Sequence, residues 1–204
     1  MLGVLALNSL AMIIQQTGYF LWSTRREKTR TIQETAISLN RTERFLSEHS
    51  AQTNPAVLDL VQQVEKLRSK WNLFVEDYVR QGCEPLFAER GIHFSQMQQR
   101  VRIYQADGSV ARIDIMALNK DTVVLIEVES TLRVADVEKH MVALRQFREW
   151  YPVYADRQVI GAVAGVLTDG DAEVFARKQG LYVILHIGDR VWLANDKEFI
   201  PRCW

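Results

Sequence analysis

Three acidic residues stand where acids are out of place. The stretch Arg112–Glu129 is otherwise a run of β-branched and large apolar residues: Val110–Leu118 and Val123–Val128, separated by the polar cluster Asn119, Lys120 and Asp121. That pattern predicts a β-hairpin with a tight polar turn. Asp114 sits between Ile113 and Ile115, and Glu127 and Glu129 flank Val128. Strands this apolar are buried on both faces, where a carboxylate needs compensation. Side chains alternate along a strand, so Glu127 and Glu129 project to one side. If the loop is Asn119–Thr122, Leu118 pairs with Val123 and Asp114 falls opposite Glu127, with Cβ atoms about 5 Å apart. A slip of one residue would undo the alignment. Three acids on one patch repel unless protonated or bridged by a cation. Oxygen ligands suit a hard divalent ion, Mg²⁺ or Mn²⁺, and hence metal-dependent hydrolysis. The plainer alternative is an edge strand whose acids face water.

Ile-Asp, a hairpin, then Glu-Val-Glu resembles the core of the PD-(D/E)XK nuclease superfamily, whose pattern is Asp, a variable spacer, then Glu/Asp-X-Lys. More narrowly, the chain from Trp71 onward is similar to an uncharacterised bacterial family with a helical, coiled-coil lead-in and a nuclease-like domain. Trp71-Asn-Leu-Phe-Val-Glu76 and Pro85-Leu-Phe-Ala-Glu-Arg-Gly91 carry that likeness. Two positions depart from the superfamily pattern. Ile113 replaces the proline before the aspartate, and Glu129 stands where the superfamily has its lysine. Some restriction endonucleases carry Glu-X-Glu there and remain active.

The resemblance implies that Asp114, Glu127 and Glu129 hold the metal. It also implies that Glu129 takes part in catalysis, that Glu76 on the first core helix helps hold a water beside the metal, and that Lys139 stands in for the absent lysine. The activity implied is hydrolysis of nucleic acid, DNA in the first instance. The competing reading is a degenerate nuclease-like domain that serves as a binding or assembly module through its N-terminal helices.

The elements needed to position these residues are legible. Val57, Leu60, Val61, Val64, Leu67, Trp71, Phe74, Val75 and Tyr78 follow helical spacing, with Pro55 suited to the first turn. Glu84-Pro85 is expected to kink or break this helix. A strand over Arg100–Gln105 and the turn Ala106–Ser109 lead into the acidic hairpin. Val134–Trp150 reads as a helix with Val137, Met141, Leu144 and Phe147 on one face and Lys139 and His140 among its polar residues. A strand over Gln158–Leu167 follows, then a helix capped by Thr168 or Asp169 and ending near Lys178. Two more strands, Leu181–Ile187 and Val191–Ala194, precede an apolar tail that docks. This order predicts an α/β fold: a restriction-endonuclease-like mixed sheet flanked by helices, preceded by a helical extension. No phosphate-binding glycine loop, dinucleotide fingerprint or Gly-X-Ser-X-Gly elbow occurs.

The organisation expected is an apolar N-terminal helix over 1–24, a coiled-coil-like extension over 25–70 and the nuclease-like domain over 71–204. The first segment is uncharged, ends in Tyr19, Phe20 and Trp22, and is followed by Arg25, Arg26 and Lys28. It reads either as a membrane span or as a helix docking on another subunit. Ile32, Leu39 and Leu46 recur at seven, which suggests a homo-oligomer through these helices. The formal net charge is zero, so a nucleic-acid surface must be local; Arg100, Arg102 and Arg112 lie near the proposed site and could supply it, or could equally be solvated strand residues. Cys83 and Cys203 form neither a metal motif nor a disulfide framework, which favours a reducing compartment. The expected location is the cytoplasm, or the inner membrane with the C-terminal domain in the cytoplasm.

Overall fold

The computed structural model describes residues 30–45, 48, 55–105, 107–187 and 190–204. The proposed apolar segment over 1–24 lies outside these residues. Among the described residues, no helix is long and apolar enough to cross a membrane.

A six-stranded sheet forms the middle layer, in the order β1 (Gln96–Tyr104), β2 (Val110–Leu118), β3 (Thr122–Leu132), β4 (Gln158–Thr168), β5 (Tyr182–Ile187) and β6 (Arg190–Leu193). β1, β2 and β3 run antiparallel, β3–β4 and β4–β5 pair in parallel, and β6 returns antiparallel. Both parallel steps need a crossover, and helices supply it: α3 (Val134–Trp150) and α4 (Ala172–Lys178). The mixed sheet flanked by helices expected from the element order is the one observed.

Two apolar cores lie on the two faces of the sheet. On one, α2 (Pro55–Ala88) lays Val75, Val79, Cys83 and Phe87 against Val124, Ile126, Val128, Ala162 and Ile184. On the other, α3 and α4 bury Val137, Leu144, Phe147, Ala172 and Ala176 against Val123, Leu125, Val163 and Val183. α3 approaches β4 closely, because Gly161 leaves room for Leu144; a Cβ there would stand 2.5 Å from both Leu144 Cδ1 and Leu181 Cδ2. The C-terminal tail docks as expected. Cys203 bridges to Ile160, and the Trp204 N–H donates to Val159 O at 2.9 Å.

Some local expectations need correction. α2 continues through Pro85 to Ala88, because Cys83 and Phe87, both fully buried, anchor it on either side of the missing N–H. β1 begins at Gln96 rather than Arg100; its polar start is held by ladder pairs with Met116, Ala117 and Leu118, and an edge strand can keep one side in water. The cap of α4 is Asp171, not Thr168 or Asp169. In α1 (residues 30–45), Ala36 and Leu39 are buried and Ala36 joins the α2-side core, so this part of the seven-residue stripe is used within the chain.

Candidate active site

The hairpin register is the conditional one. Leu118 pairs with Val123, and the β2–β3 ladder runs back to Ile115↔Ile126. Continuing that count sets Asp114 opposite Glu127, but here the ladder stops. The Asp114 carboxylate takes over, accepting the Val128 N–H at Oδ2, 2.9 Å away. On its other side, the β1–β2 register passes from Gln99↔Ile115 to Val101↔Ile113 and skips Arg100 and Asp114. Arg100 has φ +54°, in the left-handed region that costs an L-residue about 1–2 kcal/mol. The effect on both strands is visible in the cores. Met97 and Ile115 pack on the α2 side, whereas Val101 and Ile113, of matching parity, pack on the α3 side. Both strands therefore switch faces at this point, and beyond it Val101, Ile103 and Ile113 pack on the α3-side core.

Arg100 also compensates the site. Its Nε donates to Glu76 Oε2 at 2.8 Å, and its Nη2 donates to Asp77 Oδ1 at 3.0 Å and to Leu73 O. Glu76 is only 5% exposed, so it sits in α2 as a buried acid facing inward. Burial raises its pKa, and the Arg100 guanidinium works against that rise.

Glu127 is buried and Glu129 half-buried on the α3 side of the sheet. α3 begins where the Arg133 N–H donates to Asp136 Oδ2 at 2.9 Å. One turn later Lys139 lies over the strand, its Nζ 2.8 Å from Glu127 Oε1. His140 approaches the same acid from beneath, with Nδ1 4.0 Å from Glu127 Oε2. Its Nε2 lies 3.1 Å from Leu125 O. A carbonyl only accepts, so that nitrogen carries the proton and Nδ1 turns a lone pair towards Glu127. Burial pushes the His140 pKa down to about 4, so the ring is neutral at pH 7. The sequence offered no signal for this contact; a helical histidine one residue past Lys139 reads as filler.

Asp114, Glu127, Glu129, Lys139 and Glu76 all line one open cleft of about 790 Å³. Burial, then the Glu127 carboxylate, raises the Asp114 pKa to about 6. Burial, then Asp136, Glu127 and Asp114, raises that of Glu129 to about 7. The Glu127 carboxylate holds the Lys139 ammonium above the usual lysine range. α3 adds a row at helical spacing from Lys139, namely Val142, Ala143, Gln146 and Trp150, and α2 adds Ser69 and Asn72. Sequence reading did not single these out, although the spacing from Lys139 to Ala143, Gln146 and Trp150 could have found them.

The donors suit a hard cation. Asp114 and Glu127 are carboxylates, each with one oxygen engaged by the protein and one left over, beside the backbone of Val128. Among the described residues, no three His, Cys, Asp or Glu side chains form a ready metal-holding group. Asp114 and Glu127 are the residues that could hold such an ion first, and Glu129 lines the same cleft.

The solved structures it resembles include endonucleases. One is the crystal structure of a repair endonuclease from Pyrococcus abyssi, with TM-score 0.32 and 18% identity, covering 45% of this chain and 40% of that one. Another is an EndoMS–dsDNA complex, with TM-score 0.33 and 17% identity, covering 46% and 38%. A third is a protein of unknown function, with TM-score 0.34 and 13% identity, covering 48% and 52%. The chain spans about half or less of the length of each. Likenesses this partial carry no functional argument. No family model matches the chain, and no curated protein matches it.

Proposed function

We propose that the chain is a divalent-metal-dependent phosphodiesterase acting on nucleic acid, DNA in the first instance. The observation that carries this reading is that Asp114, Glu127, Glu129 and Lys139 line one open cleft. Asp114 and Glu127 would hold Mg²⁺ or Mn²⁺, with Glu129 as a further ligand. Bound there, such an ion supplies Lewis acidity to the scissile phosphate and lowers the pKa of water.

The chain's own groups do the rest. Glu129, whose carboxyl is made more basic by burial and the neighbouring acids, would serve as the proton acceptor. Lys139 is 73% exposed, and its ammonium can move from Glu127 to a phosphate oxygen once a cation neutralises that acid. Glu76 is held by Arg100 at the cleft margin, within electrostatic reach of Asp114, where it can orient water.

A second reading has one observation behind it. Lys139 already neutralises Glu127 and Arg100 already neutralises Glu76, as a non-catalytic cleft would require. Calorimetric titration of Mn²⁺ into the wild type and Glu127→Ala separates the two without knowledge of the substrate. Binding that Glu127→Ala removes, accompanied by Mn²⁺-dependent DNA cleavage that Asp114→Ala abolishes, is the expected result. An intact chain that draws no cation to the cleft leaves the binding module.

A further inference from the structure

The cleft is lined by two kinds of surface from two separate elements. The β1–β2 hairpin brings Arg102 and Arg112, which are direct cross-strand partners in its register. Like charges directly opposed on a sheet destabilise it. Both side chains are exposed and, among the described residues, neither makes a hydrogen bond or a close ion pair, although Arg112 lies within electrostatic reach of Asp114 and Glu76. The other cations at the cleft are already engaged, Arg100 by Glu76 and Asp77 and Lys139 by Glu127. The arginine pair is therefore the part of the cleft whose guanidinium donors are free to bond an anion from outside.

α3 brings the opposite character. Above Lys139, its cleft row is Val142, Ala143, Gln146 and Trp150, without a charge, and Val142 is 47% exposed. A duplex keeps its base faces stacked inside and offers an uncharged, partly aromatic surface only groove edges and sugars unless a side chain wedges between base steps. A single strand shows phosphates along one side and π faces along the other.

We propose that the cleft takes an unpaired nucleic-acid strand, its phosphates against Arg102 and Arg112 and a base against Trp150 and Val142, which leads the strand to the carboxylates. This rests on the hydrolytic reading for its cleft and deepens it by naming the substrate class.

The test is equilibrium binding of the full chain, followed by fluorescence anisotropy in EDTA, so that it does not depend on metal. The probes are labelled single-stranded DNA of about 16 nucleotides, the same sequence as RNA, and the DNA as a blunt duplex. The expected result is that one or both single strands bind at least about ten-fold tighter than the duplex. Arg102→Gln with Arg112→Gln should weaken single-strand binding by about ten-fold or more and flatten its salt dependence. Val142→Glu, a change on an exposed helical surface, should weaken it about five-fold or more with an unchanged melting temperature. Trp150→Leu adds a second probe of the α3 row, read only if its circular dichroism melt matches the wild type. Equal or tighter duplex binding, no binding to any probe, or single-strand binding that ignores both Arg102→Gln/Arg112→Gln and Val142→Glu overturns the proposal. Mn²⁺-dependent cleavage of duplex with no single-strand preference sinks this inference alone. Single-strand binding that persists with no cleavage in any metal sinks the hydrolytic reading alone.

Discussion

Glu129→Gln tests whether the cleft acids truly crowd one another. The Glu129 carboxyl titrates near 7 in the folded chain against an ordinary 4.5, because burial and the neighbouring Asp136, Glu127 and Asp114 disfavour its charge. An acid whose folded pKa lies above its unfolded value holds a proton that the unfolded chain has already released. Stability is therefore undiminished below about pH 4.5, falls between 4.5 and about 7, and carries the whole penalty above that. At 1.36 kcal/mol per pH unit the gap is worth roughly 3 kcal/mol. Partial solvent access to the side chain reduces this to about 1–2 kcal/mol. Glutamine keeps the shape and removes the charge. In EDTA at pH 8, Glu129→Gln should melt about 2–8 °C above the wild type, since 1 kcal/mol is worth about 2–4 °C at this chain length. At pH 4.5 the two should coincide. Scanning calorimetry at both pH values measures it. A variant that melts no higher at pH 8, or gains equally at both pH values, would show that the acids do not share a desolvated site.

Saturating Mn²⁺ at about 100 times its dissociation constant should stabilise the wild type by about 2.7 kcal/mol and leave Asp114→Ala unmoved, read as a melting shift against metal concentration. Arg100→Ala should lose about 2–3 kcal/mol in urea unfolding, because Glu76 is left buried without its guanidinium. Arg100→Gly should lose about 1 kcal/mol less, since only glycine adopts φ +54° without strain; an order of stability with alanine above glycine would mean the backbone there is relaxed. Gly161→Ala should cost about 1–3 kcal/mol by driving a methyl into Leu144 and Leu181, again by urea unfolding.

Much of the frame was legible because it is written in local chemistry. The turn at Asn119–Thr122 fixed the hairpin register, and the register fixed which acids meet. Asn119 Oδ1 accepts the N–H groups of Asp121 and Thr122, which is the turn the polar cluster predicts. α3 was bounded by its apolar face and by Pro152, and the resemblance, not the helix pattern, singled out Lys139 on it. What escaped depends on contacts far apart in sequence. Arg100 reads as one more strand residue; nothing local announces its left-handed backbone or its reach to Glu76 and Asp77, which lie on α2. The buried face of His140 depends on Leu125 O, fifteen residues away. The beginning of β1 escaped because Gln96–Gln99 is polar, and the neighbouring strand, not intrinsic preference, makes it a strand.

One hydrogen bond has a practical consequence. Where β2 and β3 part company, the amide of Val128 turns to the carboxylate of Asp114 instead of to a neighbouring carbonyl. The fork in the sheet is thus propped open by the very side chain offered as a ligand. Trimming that side chain to a methyl strands the amide and invites the two strands to zip further, so the variant loses the proposed ligand and the opening together. Asparagine keeps an acceptor at the prop and removes only the charge, and it is the substitution that tells those two losses apart.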